Sequence, residues 1–226
     1  MQHFKQTTKQ NWEQAQKWEL DVWMNAPRIS EDWNSWWFQQ FNSYTALREN
    51  FFPTSLLEVG CGPYGKNTTL LTSVLSSIKI IDFLDPLLDQ YLKNNFLIKN
   101  QVETFKSNVF SSPLEELKTE NTYDCVLCIN VLDHVFNASV CMNKMHDLLN
   151  PNGLLILGQD LTNQEDVERS PYILEDVGHP IKLDHLFFKE HLQNYKHIHQ
   201  NILSRQQGRN PECHYGTLLY IGQKKC

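Results

Sequence analysis

The chain has 226 residues, of which 41% are hydrophobic, and its formal net charge is -6. This length favours one domain, or one domain with an extension, whose core needs neither disulfides nor a structural metal. The acidic balance argues against nucleic acid or an anionic membrane surface as partner, and the lack of an apolar leader or membrane-length stretch predicts a cytoplasmic protein.

Aromatic side chains are concentrated at the start of the chain. All six tryptophans lie within the first 37 residues. One helix is predicted from Trp12 to Met24. A second aromatic series recurs at helical spacing: Trp33, Trp36, Trp37, Phe41, Tyr44 and Leu47. We therefore predict an aromatic helical segment over residues 1–50, which caps a domain formed by residues 51–226.

From residue 55 the sequence alternates between short apolar runs and helical patterns. The predicted strands cover residues 55–59, 78–85, 102–108, 123–130 and 153–160. The predicted helices cover residues 67–77, 86–95, 113–118 and 139–150. Alternation at this period indicates a parallel β-sheet with helices on both faces.

The pattern changes after Asp160. Residues 160–184 are polar and irregular, which indicates an insertion on the substrate side of the domain. A helix is predicted over residues 185–195, and strands over 196–206 and 214–223 form a hairpin through "GRNP". The sequence thus predicts an α/β fold with a seven-stranded, mostly parallel sheet. Its last strand is antiparallel, helices lie on both faces, and a helical N-terminal extension precedes it.

A glycine-rich loop follows the first predicted strand and reads "GCGPYG" from Gly60 to Gly65. Letter by letter it matches the G-x-G-x-x-G pattern of dinucleotide-binding enzymes. A dinucleotide places its pyrophosphate on backbone N–H groups at a helix start, and Pro63 removes one such donor. Glu58 would also place a carboxylate beside two phosphates. Both residues suit a ligand with a cationic end better than they suit NAD.

The sequence around this loop resembles the class I methyltransferases that use S-adenosylmethionine. Their first motif is similar to "LLEVGCGPYG", their second to "IIDFLDPLLDQY" and their third to "KSNVFSSPLEEL". The fourth-strand motif and the turn before strand five resemble "YDCVLCINVLDHV" and "LLNPNGLLILG". The resemblance covers residues 55–160. It implies S-adenosylmethionine as cofactor, with its ammonium and sulfonium as the cationic end, and S-adenosylhomocysteine as product.

The same resemblance implies which residues bind the cofactor. Glu58 would face the methionine ammonium, Asp85 the ribose hydroxyls and Asn108 the adenine amino group. The backbone after strand four would hold the ammonium. The implied set is Glu58, Gly60, Cys61, Gly62, Tyr64, Asp85, Pro86, Asn108, Val109, Ile129 and Asn130. Several alternatives stay open. Gly60 and Gly62 could form only a tight turn between strand and helix, and Glu58 could be a helix-cap carboxylate. Asp85 could only cap the helix that begins at Pro86, and Asn108 could be a turn residue.

The glycine loop departs from the family's pattern at its third glycine. Many members have this glycine two residues after the second, where this chain has Tyr64. Asn108 likewise replaces a commoner Asp. We predict that Tyr64 turns toward the aromatic N-terminal segment, over the methionine end of the cofactor.

Two histidines are candidate general bases, because the pKa of imidazole lies near neutrality. His134 follows the fourth predicted strand, where it could equally pack or orient a neighbour. His179 lies in the irregular segment expected above the transferred methyl group. The predicted substrate contacts are Trp33, Trp36, Trp37 and Asp160, because an aromatic pocket accepts flat rings or the apolar face of a sugar.

The expected reaction is therefore methyl transfer to the hydroxyl or amine of an aromatic, sugar or natural-product-like small molecule, by a monomer or a homodimer. A catalytically silent fold that binds the cofactor as a sensor or interaction protein stays open. A short-chain NAD-dependent oxidoreductase is a weaker alternative. It needs Tyr220 and Lys224 on a helix, whereas both lie in a predicted strand.

Two residue pairs raise the question of a metal. His197 and His199 share a predicted strand face, but no third ligand is evident, so we expect no metal. Cys125 and Cys128 form a C-x-x-C within an apolar strand, where residues three apart point to opposite faces. We interpret both as buried thiols.

Overall fold

A central β-sheet organises the structure, a computed structural model that describes residues 5–25, 33–41, 44–169 and 176–226. The side chains of residues 33, 34 and 44–46 are outside this description. The strands are β1 Ser55–Val59, β2 Ile80–Leu84, β3 Val109–Phe110, β4 Tyr123–Ile129, β5 Leu149–Leu161, β6 Tyr195–Ser204 and β7 Gly216–Lys224. Among the described residues they form one seven-stranded sheet in the order β3-β2-β1-β4-β5-β7-β6.

Helices precede the sheet and connect its strands. They are α1 Lys9–Asn25, α2 Trp33–Gln40, α3 Tyr44–Asn50, α4 Lys66–Val74, α5 Leu88–Lys93, α6 Ile98–Phe105, α7 Ala138–Leu148, α8 Gln164–Arg169 and α9 His185–His191. Single 3₁₀ turns cover Leu114–Glu116, Leu192–Asn194 and Arg205–Gln207. Among the described residues, no helix is both long and apolar enough to cross a membrane.

The strand directions confirm the predicted fold class. The pairs within β3-β2-β1-β4-β5 are all parallel. The last strand, β7, is antiparallel to both of its neighbours, β5 and β6. The helical extension is present as α1, with α2 and α3 where the second aromatic series was expected to form a helix.

The order of the strands determines where a ligand can bind. Strand β1 lies between β2 and β4, so the chain leaves β1 on one side and returns on the other. Open α/β sheets bind ligands at such a reversal, in the crevice outside the carboxyl ends of the strands. Val59, Leu84 and Ile129 are the last residues of the three strands concerned.

Apolar side chains cover both faces of the sheet and form two core clusters. Leu57 and Val59 belong to one cluster, whereas Leu56 belongs to the other. Cys128 and Cys125 divide between the clusters in the same way. Both are free and fully buried, so the prediction of buried thiols is confirmed.

The predicted third strand over residues 102–108 is wrong for most of its length. Residues up to Phe105 form α6, which ends at Lys106 in the left-handed conformation (φ 53°), and β3 has only two residues. Ile98, Val102 and Phe105 recur at helical spacing and pack on one core cluster. A short β-branched stretch fits both periods, and here packing of the helical face decides.

The segment over residues 160–184 is less irregular than expected. It contains α8, which begins with a reciprocal cap. The Asp166 N–H donates to Asn163 Oδ1 at 2.8 Å, and the Asn163 N–H donates to Asp166 Oδ2 at 3.0 Å. Residues 170–175 of this segment lie outside the described part of the chain.

Candidate active site

A cavity of about 750 Å³ opens at the carboxyl ends of β1, β2 and β4. Its lining comes mainly from α1, the loop 60–64, the turn 84–87 after β2 and residues 129–131 after β4. These segments meet here because the reversal of strand order leaves a crevice beside β1. The cavity therefore lies where the sequence placed the cofactor.

The glycine loop brings its backbone to the cavity through left-handed turns. Gly60 has φ 65° and Gly62 has φ 57°. A Cβ on Gly60 would overlap the methyl groups of Val131, whereas a Cβ on Gly62 would meet no atom within 4 Å. The N–H of Gly60 donates to the Leu84 carbonyl at 2.8 Å. Gly60 thus closes the loop against the neighbouring strands, while Gly62 leaves open space beside the backbone.

Asp85 connects this loop to the end of β2. Its Oδ2 accepts from the Gly62 N–H at 3.0 Å, and its Oδ1 accepts from the Leu87 N–H at 2.8 Å. Burial raises the pKa of Asp85 to about 6, although both hydrogen bonds oppose the shift. The side chain caps the next turn and also lines the cavity. Asp85 therefore holds the turn at Pro86, and its contact with a ribose stays a prediction.

Glu58 lies on β1, just before the loop, and is 2% exposed. Its Oε2 has no hydrogen-bond partner among the described residues. Burial raises its pKa to about 7, against the opposing effect of the neighbouring polar groups of Thr68 and Asn67. Glu58 does not itself line the cavity, but Asn67 does. A buried carboxyl with a free oxygen is costly, so a cation that approached through the cavity would be favoured here.

The structure does not bring Asn108 and Val109 to the cavity. The Asn108 carboxamide donates to both carboxylate oxygens of Asp82, at 3.1 and 3.2 Å, and its N–H donates to Oδ1 at 2.9 Å. Tyr123 donates to the same carboxylate at 2.9 Å. Asn108 thus holds β3 against β2. Val109 is exposed at the end of the sheet.

Residues 112–115 line the cavity instead, and the sequence analysis missed them. They follow β3 directly. Glu115 fixes this corner, because its Oε1 accepts from the N–H groups of Phe136 and Asn137 at 3.0 and 2.9 Å. Their position after the end of a strand could have predicted these residues as part of the site. The prediction placed the third strand over residues 102–108, so this position was missed.

The turn after β4 depends on Asn130, which has φ 55°. Its N–H donates to the Gly158 carbonyl at 2.7 Å, and its Oδ1 accepts from the Asp160 N–H at 3.3 Å. Ile129 and Asn130 line the cavity, as expected of cofactor-binding residues. Asp160 does not: its carboxylate accepts from the Thr217 hydroxyl at 2.6 Å, within the sheet.

Helix α1 covers the cavity with aromatic side chains. Trp12, Trp18 and Trp23 all line it. The ring of Tyr64 packs edge-to-face on Trp23 with centroids 5.6 Å apart, so the predicted direction of Tyr64 is confirmed. The Trp23 Nε1 donates to Glu19 Oε1 at 2.9 Å.

The second group of tryptophans contributes less than expected. Trp37 is 3% exposed and lines the cavity. Trp36 packs edge-to-face on Trp37 at 5.1 Å, beneath the guanidinium of Arg209, and lies outside the lining. The side chain of Trp33 lies outside the described part of the structure. The aromatic wall therefore comes mainly from α1.

His134 joins α1 to the end of β4. Its Nδ1 lies 2.9 Å from Glu19 Oε2, and its carbonyl accepts from Trp12 Nε1 at 3.0 Å and Gln16 Nε2 at 3.2 Å. Burial alone would lower the pKa of His134, but Glu19 and Asp133 outweigh it and raise that pKa to about 10. Glu19 and Asp133 thus favour the protonated form of the His134 ring over the neutral form.

His179 lies against His134, with ring centroids 4.4 Å apart, and both line the cavity. Its Nδ1 is 2.8 Å from Asp176 Oδ2, and its carbonyl accepts from Lys182 Nζ at 2.6 Å. The two histidines proposed from sequence therefore meet at one place, although 45 positions separate them in the chain. A carboxylate lies beside the Nδ1 of each.

The pair required by the oxidoreductase alternative lies elsewhere. Tyr220 is fully buried in β7, and the Lys224 ammonium donates to the carbonyls of His146 and Leu149 at 2.7 and 2.8 Å. Neither residue lines the cavity. The geometry that this alternative needs is therefore not formed.

Comparison with known proteins gives a consistent result. A model of the family described as "methyltransferase domain" matches residues 31–207. A ubiquinone biosynthesis O-methyltransferase from Rickettsia bellii is 32% identical over 102 residues. That match covers 45% of this chain and 40% of the relative, so less than half of the curated protein is represented.

Solved structures share the fold at low sequence identity. The N-methyltransferase NodS from Bradyrhizobium japonicum superimposes with a TM-score of 0.62 at 12% identity, over 88% of this chain and 100% of NodS. A 1,6-didemethyltoxoflavin-N1-methyltransferase from Burkholderia thailandensis, solved with its substrate and S-adenosylhomocysteine, gives 0.61 at 13% identity, over 97% and 92%.

Proposed function

Because the chain belongs to the family of methyltransferase domains, we propose that it transfers a methyl group from S-adenosylmethionine to a small-molecule acceptor. One observation carries the proposal. The cavity lies at the reversal of strand order, and there Asp85 holds the Gly62 backbone at 3.0 Å beneath an aromatic cover. A nucleoside with a cationic tail fits such a cradle, which offers a carboxylate and open backbone.

The contacts support an orientation for the cofactor. Asp85 faces the cavity and is placed to accept from the ribose hydroxyls, with Gly62 and Pro86 beside it. The methionine end lies toward Tyr64 and the backbone of Asn130, with Glu58 buried behind the loop. Residues 112–115 take the adenine side that the sequence assigned to Asn108. Helix α1 then acts as the cap proposed for residues 1–50.

The reaction requires little covalent chemistry from the side chains of the protein. An acceptor lone pair attacks the methyl carbon, the carbon–sulfur bond breaks, and its electron pair stays on sulfur as a neutral thioether. Alignment and exclusion of water supply most of the acceleration. The tryptophans of α1, together with Trp37, provide the apolar walls that exclude water.

The acceptor lies on the side of the cavity where His134 and His179 meet. We propose a hydroxyl or amine on an aromatic, sugar or natural-product-like molecule, because indole rings line this side. The matched curated relatives are named as O-methyltransferases, and two structural neighbours as N-methyltransferases. If the acceptor is a hydroxyl, His179 with Asp176 is the better placed proton acceptor, because Glu19 and Asp133 favour the protonated form of His134. The cytoplasmic location inferred from composition remains a prediction.

Calorimetry tests the proposal directly. The chain is expected to bind S-adenosylmethionine and S-adenosylhomocysteine with micromolar Kd. Asp85→Ala is expected to weaken both at least tenfold, because each lost bond to a carboxylate costs roughly 1.5–3 kcal/mol. The matched control is Asp89→Ala, which removes an exposed carboxylate outside the cavity.

Three alternatives give different results in the same experiment. Binding of NAD without either methionine derivative would contradict the proposal. Tight binding of S-adenosylhomocysteine, with no methyl transfer across a broad panel of phenols, amines and sugars, would favour a sensor. Equal losses of affinity in Asp85→Ala and Asp89→Ala would show that Asp85 does not bind the cofactor.

A further inference from the structure

Three ligand-type side chains converge on the wall of the cavity where the acceptor would lie. One potential donor atom from each of Asp133, His134 and His179 lies within 4.8 Å of the other two. They come from the turn after β4 and from the segment before α9, so the fold brings them together. Both imidazoles line the cavity, and Asp133 is buried behind them.

The second nitrogen of each imidazole already has a carboxylate neighbour. His134 Nδ1 lies 2.9 Å from Glu19 Oε2, and His179 Nδ1 lies 2.8 Å from Asp176 Oδ2. Histidines that bind metals have this arrangement, in which a carboxylate fixes the ring and raises the basicity of the other nitrogen. The Nε2 atoms are therefore the donors left for a ligand, and an ion that binds displaces to solvent the proton that Glu19 and Asp133 favour on His134.

Asp133 provides an independent observation. It is 6% exposed, and its Oδ1 has no hydrogen-bond partner among the described residues. This oxygen lies 3.8 Å from His134 Nε2, too far for a hydrogen bond. A buried carboxylate oxygen without a hydrogen bond is unfavourable in a folded protein. A cation between Asp133 and the two rings would satisfy it.

We propose that Asp133, His134 and His179 bind one divalent transition-metal ion at the acceptor side of the cavity. Two imidazole nitrogens and one carboxylate oxygen suit zinc, iron(II) or manganese better than magnesium, which prefers oxygen ligands alone. Three protein ligands leave coordination positions open toward the cavity, as catalytic metal sites do. The expectation of no metal rested on His197 and His199, which a bulge between them separates in β6.

This inference rests on the proposed function for its chemical role. A hydroxyl oxygen of the acceptor that binds the ion loses its proton more readily, and the proton passes to solvent. The resulting oxyanion attacks the methyl carbon as the carbon–sulfur bond breaks, so charge and atoms balance. His179 then serves as a ligand, and no free imidazole base is needed.

Metal binding can be measured without any turnover. Full-length protein treated with a chelator is titrated with Zn²⁺ by calorimetry, and Co²⁺ absorption reports nitrogen ligation. One ion per chain is expected. His179→Ala should abolish measurable binding, and Asp176→Asn should weaken it 10–100-fold through the outer contact. The His197→Ala, His199→Ala double variant is the matched control and should bind as the parent does.

The outcomes separate this inference from the proposed function. Asp133→Asn could fail to fold, so circular dichroism and S-adenosylhomocysteine affinity accompany every variant, and His179→Ala carries the test. No Zn²⁺ binding, unchanged binding in His179→Ala, or loss in the control variant would overturn the metal site. Zn²⁺ binding without S-adenosylhomocysteine binding would support the site while contradicting methyl transfer.

Discussion

Glu58 and Asp85 flank the glycine loop as two buried carboxyl groups whose pKa values are both raised, to about 7 and about 6. Burial is the main cause in each case. The charge of Asp85 also raises the pKa of Glu58, and the charge of Glu19 raises the pKa of Asp85. Folding therefore keeps Glu58 protonated at a pH where the unfolded chain has lost that proton. The loop is built around groups that favour an incoming cation.

Glu58→Gln should change how stability depends on pH. The folded pKa of about 7 lies above the ordinary value of 4.5, so the stability associated with protonated Glu58 is present below pH 4.5 and is lost as pH rises through 7. The difference in unfolding free energy between parent and variant should shift by about 3 kcal/mol between pH 4.5 and pH 8, in favour of the variant.

Urea denaturation of the ligand-free protein at both pH values measures this shift. Glu103→Gln replaces an exposed glutamate on α6 and should show the same pH dependence as the parent. A Glu58→Gln curve parallel to the parent across this range would mean that Glu58 is charged in the folded protein.

Some contacts of individual side chains could not be predicted from the sequence. The resemblance predicted Glu58, Gly60, Asp85 and Asn130, because each lies at a fixed position near the end of a strand. It could not predict that the Asn108 carboxamide donates to Asp82, because that hydrogen bond depends on the register of β3 against β2. Long-range partners of this kind leave no local pattern.

Helix α1 is the element that most changes the site. Its buried residues are Trp12, Ala15 and Gln16, and this helical turn packs on the loop after β4 through His134 and Phe136. The preceding residues pair with the chain after β4: the Thr7 N–H donates to the Phe136 carbonyl at 2.9 Å. Two side-chain hydrogen bonds from α1, donated by Trp12 and Gln16, reach the backbone carbonyl of His134.

Trp12→Phe should loosen α1 without emptying its packing site. The variant keeps a ring near Phe136 but loses the bond from Nε1 to the His134 carbonyl, worth about 1 kcal/mol. Amide hydrogen exchange across α1 should accelerate about fivefold, because 1.4 kcal/mol corresponds to tenfold. Mass spectrometry after exchange measures it.

The control for α1 is Trp18→Phe, because Trp18 is 41% exposed and its ring packs edge-to-face on His179 instead of bonding to the His134 carbonyl. Exchange in this variant should resemble the parent. Equal protection of α1 in Trp12→Phe and the parent would show that the helix is held by its other contacts.

At the scale of elements, periodicity located α1, β1, β4, α7 and β5 within a few residues. It failed at α6 and β3, because a two-residue strand carries no pattern and the helical face before it is short. Periodicity also predicted one aromatic series across α2 and α3. The spacing of residues indicates which side of a helix is apolar, but it does not indicate where one helix ends and the next begins.

The whole molecule buries most of its thiols. Cys61, Cys125, Cys128 and Cys141 are buried, whereas Cys213 is partly exposed and Cys226 is exposed. Burial raises the pKa of each of the four buried thiols well above its ordinary value. Both effects suppress the thiolate, which is the reactive form.

A thiol reagent should therefore distinguish two classes in the native protein. Cys226 and Cys213 are expected to react quickly, and the four core thiols only when the sheet opens, at least 100-fold more slowly. Labelling followed by mass spectrometry assigns each site, and urea-unfolded protein provides the fully reactive reference. Fast labelling of Cys125 or Cys128 in native protein would contradict the core described here.

The position of β7 has a consequence for how the molecule is made. Strand β7 is synthesised after β6 but lies between β6 and β5. Until it emerges from the ribosome, β5 presents an open apolar edge, and β6 has no neighbour in the sheet. Nascent chains with such edges are prone to aggregate. The half of the molecule that holds the glycine loop can thus fold early, while completion of the sheet waits for its last strand, and chaperones would act in that interval.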